Sequence, residues 1–158
     1  MKVHVFKREM IIPVSVSEAW DFFSDPRNLK KITPPEMNFK ILTKNLPDRI
    51  YSGLLIKYSL TPVFGIKANW VTEIKNVKEN EFFIDQQLEG PYALWEHKHS
   101  FIPCKEGTMM KDEVRYALPL SFLGDIAHLL FVRKKLEAIF NYRSDVISKL
   151  WLSNKNAV

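Results

Sequence analysis

The chain has 158 residues, of which 46% are hydrophobic, 13% aromatic and 26% charged, and its formal net charge at pH 7 is +5. This length suits one domain, and this composition excludes a disordered, collagen-like or coiled-coil chain. The single cysteine excludes an internal disulfide and a cysteine-based zinc cage, and no apolar run reaches the ~18 residues of a membrane span. We therefore expect one domain over residues 1–158, soluble and cytoplasmic, because the N-terminus carries charges where a signal peptide is apolar.

The first part of the chain predicts one strand and two short helices. Residues 3–12 are rich in β-branched side chains with mixed alternation, which is typical of a strand, and Pro13 ends it. Residues 15–18 have the Ser-x-x-Glu spacing of a capping box, so a short helix follows. The dipeptide Asp25-Pro26 interrupts that helix, and Pro26 begins a second one over residues 26–32.

The middle of the chain predicts an antiparallel sheet, and its end predicts one long helix. Short gaps with turn residues separate the candidate strands, which implies antiparallel neighbours. These strands are 37–43, 53–61, 66–76, 81–88, 93–103 and 108–118. Residues 125–152 have apolar side chains every three or four positions, beginning after Asp125 as the cap. The order predicts an α+β fold of about seven strands whose apolar face is covered by the C-terminal helix.

One face of this predicted sheet is aromatic and also carries polar side chains. Period-2 geometry places the odd positions of 93–101 on one face and the even positions of 108–118 on the same face. Its predicted members are Trp70, Thr72, Asp85, Gln87, Trp95, His97, His99, Asp112 and Tyr116. Tyr58 on the preceding strand joins the candidate cavity residues, as does Arg143, which lies near the apolar face of the last helix.

Turn lengths predict the strand registers. A four-residue turn at 104–107 places His99 opposite Asp112, and the next pairing places Asp85 beside His97. A four-residue turn at 77–80 places Thr72 opposite Asp85. A bulge in any strand would break this alignment.

Two interpretations of the polar face follow. The polar side chains can satisfy one another and fix the register. They can instead line a pocket of a few hundred Å³, because aromatic walls with a few converging polar groups are typical of ligand sites. Arg143 can extend to the edge of the helix or present its cation to a ligand or a carboxylate. Two histidines and Asp112 could hold a metal, but we expect no metal and no cofactor, since no further ligand set is visible.

The residues resemble the helix-grip fold of the SRPBCC superfamily, which contains START lipid-transfer domains, birch-pollen-allergen-like proteins and polyketide cyclases. They are most similar to a bacterial branch described as ligand-binding SRPBCC proteins. The most specific segment is Trp95-Glu96-His97-Lys98-His99-Ser100-Phe101. Further matching segments are Asp25–Leu29, Ile32–Pro34, Trp70, Phe83–Gln87, Gly90–Tyr92, Asp112–Tyr116 and Phe140–Arg143.

The resemblance implies a curved sheet wrapped around the last helix, with a deep cavity that binds a hydrophobic or amphipathic small molecule such as a lipid, polyketide or isoprenoid. Our first hypothesis is a carrier or sensor of that ligand. The second is a cyclase, hydratase or dehydratase in which His97 or His99 acts as acid or base, oriented by Asp85 or Asp112. The third is a surface binder of anionic lipid or RNA, because residues 1–75 hold 12 basic and 7 acidic side chains. We favour a small-molecule partner and no nucleic acid.

Overall fold

The computed structural model describes residues 2–61, 65–119 and 131–155. Within these ranges seven strands form an antiparallel sheet in the order β1-β7-β6-β5-β4-β3-β2. They are β1 (His4–Ile12), β2 (Lys40–Ile41), β3 (Leu55–Leu60), β4 (Ala68–Lys78), β5 (Phe82–Glu89), β6 (Leu94–Cys104) and β7 (Gly107–Ala117). Strands β2 to β7 are neighbours in chain order, as the short turns predict, and β1 joins the free side of β7.

The helices begin where the sequence provides caps. Helix α1 (Val16–Phe23) begins after Ser15, whose hydroxyl accepts a hydrogen bond from the Glu18 amide over 3.2 Å. A 3₁₀ helix (Pro26–Lys30) follows, and Asp25 caps it by accepting from the Arg27 amide over 2.9 Å. The predicted helix start at Ser15 and the predicted break at Asp25-Pro26 are confirmed, and the described hydrogen bond is the Ser15 half of the predicted capping box. The second short helix has 3₁₀ geometry and ends two residues earlier than predicted.

One predicted strand is much shorter in the structure, and the last predicted helix is described only in part. The strand expected over 37–43 is reduced to Lys40–Ile41, because Pro35–Met37 forms a 3₁₀ turn and Asn38 has a left-handed φ of 49°. The long helix α2 (Arg133–Lys155) is confirmed, while its predicted start at Asp125 lies outside the described residues. No helix in the described ranges is long and apolar enough to cross a membrane.

The strand registers agree with two of the three predictions. His99 lies opposite Asp112 and Asp85 lies opposite His97, as the turn lengths predict. The predicted pairing of Thr72 with Asp85 is wrong: Thr72 lies opposite Gln87. The turn follows Lys78, which pairs with Phe82, so it lies later in the chain than the predicted 77–80. An irregularity between Lys75 and Lys78, where Asn76 has a positive φ of 48°, then shifts the register back by one, and the pairing ends two positions away from the prediction.

Helix α2 packs its apolar stripe onto the concave face of the sheet, so the predicted helix-grip fold is confirmed. The stripe is buried along its described length and consists of Val132 before the helix and then Leu136, Phe140, Arg143, Ile147 and Trp151. These positions repeat every three or four residues, which is the period of one helix face. Arg143 is the one charged side chain in this stripe, and it faces the polar part of the sheet.

Candidate functional site

Two histidines and two aspartates lie together on the face of the sheet that α2 covers; we call these four residues the His–Asp cluster. His97 and His99 alternate along β6 on the same face, and their ring centroids are 3.7 Å apart. Asp112 comes from β7 and Asp85 from β5, so the carboxylates flank the histidine pair from opposite sides. Both histidines and Asp112 are buried, and the side chain of Asp85 is 18% exposed.

Each aspartate approaches both histidines. His97 Nε2 donates to Asp112 Oδ1 and His99 Nε2 donates to Asp85 Oδ2, each over 2.8 Å. His99 Nδ1 lies 2.9 Å from Asp112 Oδ1, without the direction of a hydrogen bond, and His97 Nδ1 lies 3.6 Å from Asp85 Oδ2. The predicted contacts are therefore present, but the hydrogen bonds join diagonal neighbours and not the residues directly opposite in the ladder.

The pKa values of the two histidines shift in opposite directions. Burial lowers the pKa of His97, and the neighbouring His99 cation lowers it further against the attraction of the aspartates. Burial also opposes the charge of His99, but its contacts with Asp112 and Asp85 outweigh burial and raise its pKa above the ordinary value. Burial disfavours ionised aspartates, yet the histidines hold the pKa values of Asp112 and Asp85 below their usual range. The cluster therefore favours ionised carboxylates, and it favours a proton on His99 over one on His97.

Arg143 lies above this cluster and is only 7% exposed. Its Nη1 is 3.7 Å from Asp112 Oδ1, beyond hydrogen-bond distance, and the guanidinium carbon is 4.8 Å from the centroid of the Phe140 ring. Within the described part of the chain, Nε and Nη1 of Arg143 are buried without a hydrogen-bond partner. The side chain does not extend to the helix edge. It presents its cation to a carboxylate, which is the second of the two positions that the sequence allowed.

A cavity of about 110 Å³ lies between the cluster and α2. Aromatic side chains form much of its wall, and the charged or titratable groups Asp85, His97, Lys135 and Arg143 also line it. The other lining residues are Leu29, Thr33, Met37, Phe39, Tyr58, Leu60, Trp70, Tyr92, Trp95, Val132, Leu136, Ile139 and Phe140. This composition is typical of a small-molecule site, with an apolar wall and few polar groups.

A second hollow of about 70 Å³ lies on the other side of Arg143, beneath α1 and the first 3₁₀ helix. Leu29 and Arg143 line both spaces. His99 faces the smaller space, while His97 faces the larger one. Each space is smaller than the few hundred Å³ expected, because aromatic side chains such as Phe39 and Trp95 occupy the interior.

Several predicted cavity residues have other roles. The Thr72 hydroxyl is 2.8 Å from the hydroxyl of Tyr58, so Thr72 positions Tyr58, which lines the cavity, and does not line it itself. Gln87 forms two hydrogen bonds with the backbone of Tyr92, over 2.7 and 3.3 Å, and holds the β5–β6 turn. Tyr116 is buried in a core cluster with Val114 and Phe140 and does not line either space.

Sequence reasoning missed Tyr92 as a wall residue because it lies in a predicted turn. Its ring centroid is 4.8 Å from that of Trp95 and 5.6 Å from that of Trp70. Leu29 and Met37 were also missed, because their helix and turn contribute only single side chains to the cavity.

Three side chains of the cluster could hold a metal ion. Asp85, His97 and His99 each offer one donor atom, and these atoms lie within 4.8 Å of one another. A metal needs neutral imidazole ligands, whereas the contacts of His99 favour its protonated form. The Arg143 cation lies beside the same carboxylates. The charges therefore favour the hydrogen-bonded cluster over a metal centre.

Comparisons with known proteins agree with this architecture. The family described as "Polyketide cyclase / dehydrase and lipid transport" matches residues 12–139. A protein of Thermus thermophilus is 19% identical, with 97% of this chain and 99% of that chain covered and a TM-score of 0.69. A START superfamily protein from Mycobacterium smegmatis is 17% identical, with 94% and 98% covered and a TM-score of 0.66.

A norcoclaurine synthase from Thalictrum, in complex with a transition-state analogue, is 18% identical, with 98% and 97% of the two chains covered and a TM-score of 0.69. No curated protein matches the sequence significantly. At these identities the likeness between structures shows the fold alone.

Proposed function

The chain belongs to the polyketide cyclase / dehydrase and lipid transport family, and from this premise we propose that it is a carrier or sensor that binds a small hydrophobic or amphipathic molecule between its sheet and α2. One observation carries the proposal: the aromatic cavity of about 110 Å³ beside the His–Asp cluster. A purely structural cluster would be covered by close-packed side chains, since protein interiors leave few voids larger than a water molecule.

The size of the cavity limits the ligand. An engineered apolar cavity of about 150 Å³ in another protein holds benzene, so about 110 Å³ suits one ring or a short chain. Long-chain lipid would require the aromatic wall to move. We therefore place a small aromatic or short aliphatic body against Trp70, Trp95 and Phe140.

Two measurements test the proposal. Native mass spectrometry of gently purified protein should show a co-purified small molecule, and toluene should shift the amide NMR signals of residues around the cavity. Leu136→Phe places extra volume in the cavity and should abolish both effects. Leu150→Phe adds the same volume at a position of the same helix that is 37% exposed, and should change neither. Absence of a retained mass together with absence of toluene binding to the parent would refute the proposal.

A catalytic function is the second candidate, and one observation favours it. His97 lines the cavity, and Asp112 accepts a hydrogen bond from its Nε2. This leaves Nδ1 as the free nitrogen of a neutral imidazole, and a carboxylate that orients a histidine is a common arrangement for acid–base chemistry. With an identified ligand, a catalytic His97 predicts turnover by the parent, and binding without turnover by His97→Gln.

The surface-binding hypothesis has less support in the described residues. Two arginines of the basic segment 27–49 are already paired with acids. Arg27 contacts Asp25 and Asp48 over 2.8 and 2.9 Å. Arg49 contacts an acid of α1 over 2.6 Å and Glu79 over 3.2 Å. These pairs reduce the positive field that an anionic surface would need.

A further inference from the structure

Arg143 is a buried cation, and two of its three side-chain nitrogens have no hydrogen-bond partner among the described residues. A guanidinium keeps its charge at any ordinary pH, so burial cannot neutralise it. A buried donor without a partner is unfavourable in a folded protein and requires an explanation. Nε and Nη1 of Arg143 are two such donors, and the side chain lines both interior spaces.

The carboxylates near Arg143 are occupied by the histidines. Asp112 Oδ1 is 2.8 Å from His97 Nε2 and 2.9 Å from His99 Nδ1, but 3.7 Å from Arg143 Nη1. Asp85 Oδ2 accepts from His99 over 2.8 Å. The aspartates therefore lower the electrostatic cost of burying Arg143 without filling its donor positions.

The remaining charged group of the cavity wall is also basic. Lys135 lines the same space from a position on α2 nearer the N-terminus, and its ammonium lies 3.7 Å from Glu36, with both side chains partly exposed. The charged wall thus has one carboxylate, already engaged, against two cations. An anionic group entering the cavity would meet an unsatisfied buried guanidinium at one end and Lys135 at the rim.

We propose that Arg143 binds the acid group of the ligand, and that the ligand is a small organic acid with one aromatic ring or a short chain. This inference rests on the proposed function and names the chemical class of its ligand. The apolar body lies against Phe140 and Trp70, and the carboxylate accepts hydrogen bonds from the free donors of Arg143. Charge-assisted hydrogen bonds of this kind are about twice as strong as neutral ones.

Benzoate and benzamide test the proposal, because they have the same shape and differ in charge. Isothermal titration calorimetry at pH 7 and low salt should show that the parent binds benzoate about 10- to 100-fold more tightly than benzamide. Arg143→Met should lose this preference and retain benzamide. Arg115→Met removes an arginine that is 51% exposed on the other face of the sheet, and should keep the full preference.

The outcomes separate this inference from the proposed function. Benzamide or toluene binding with no preference for benzoate in the parent would overturn the acid inference and leave the carrier proposal intact. No binding of benzoate, benzamide or toluene would overturn both. A benzoate preference that persists in Arg143→Met would also overturn the role of Arg143. The comparison of two ligands on the parent needs no variant, so it holds even if Arg143→Met fails to fold.

Discussion

Replacement of Asp112 tests whether the His–Asp cluster stabilises the fold. Asp112 Oδ1 is the meeting point of three positive or hydrogen-bonding groups: His97 at 2.8 Å, His99 at 2.9 Å and Arg143 at 3.7 Å. Asp112→Ala removes the acceptor and the negative charge and leaves these groups buried. Asp112→Asn removes the charge but keeps an oxygen that can accept from His97 Nε2.

The two variants should differ in free energy of unfolding. Loss of one partner of a buried ion pair costs about 3–5 kcal/mol, because the remaining charge stays buried without compensation. We expect Asp112→Ala to lose an amount in that range. Asp112→Asn should lose about 1–3 kcal/mol, since one hydrogen bond survives. The expected order of stability is therefore parent, Asp112→Asn, Asp112→Ala.

Urea denaturation at pH 7 measures these differences, with equal m-values as evidence that the native state is unchanged. Glu113→Ala is the matched control, because Glu113 is the next residue of β7 and pairs with Lys7 on the exposed face over 2.9 Å. A surface ion pair contributes about 0–1 kcal/mol. Equal stabilities of the parent and both Asp112 variants would refute the energetic role of the cluster.

Three further predictions concern pH, the buried cation and a turn. The pKa of His99 is raised, so the stabilisation that its proton contributes is fully present below pH ~6.5 and is lost as pH rises through the higher folded pKa. Urea denaturation from pH 6 to 9 should show this loss in the parent and not in His99→Gln. An identical pH dependence of the two proteins would contradict the raised pKa of His99. Arg143→Met should lower the unfolding free energy of the ligand-free protein by no more than about 1 kcal/mol, because it removes unsatisfied buried donors. A loss above about 2 kcal/mol would contradict this and show that Asp112 needs this cation. Gly107→Ala should lower the unfolding free energy by about 1–3 kcal/mol, since φ is 134° and a Cβ would clash with the Ile12 carbonyl; an unchanged urea midpoint would contradict this.

The sequence predicts the part of the site that short turns determine. The turn between β6 and β7 keeps a regular ladder from Cys104 and Gly107 inward, so His99 meets Asp112 as counting predicts. The β4–β5 register could not be counted in this way. The turn lies at 79–81 and not at the predicted 77–80, and the register shifts by one more position near Asn76, which has a left-handed conformation inside β4.

Counting residues from a turn does not predict side-chain directions or packing. Alternation correctly places His97, His99 and Asp112 on one face, but it does not show that the hydrogen bonds run diagonally. The position of Arg143 depends on how α2 rotates over the sheet, which periodicity leaves free by tens of degrees. The cavity volume depends on the rotamers of large rings such as Trp95, so its size could not be predicted from composition.

The polar groups of the core divide into two sets with different physical roles. The His–Asp cluster makes two hydrogen bonds of its own, and its four members on three adjacent strands would fix the register without any ligand. Arg143 adds a charge to that core, yet two of its nitrogens have no partner among the described residues. Arg143 Nη1 lies 3.7 Å from Asp112 Oδ1, so the two charges form an ion pair without a hydrogen bond. The register therefore accounts for the aspartates and histidines, whereas the two unpartnered nitrogens of Arg143 are the positions that the proposed acid ligand would fill.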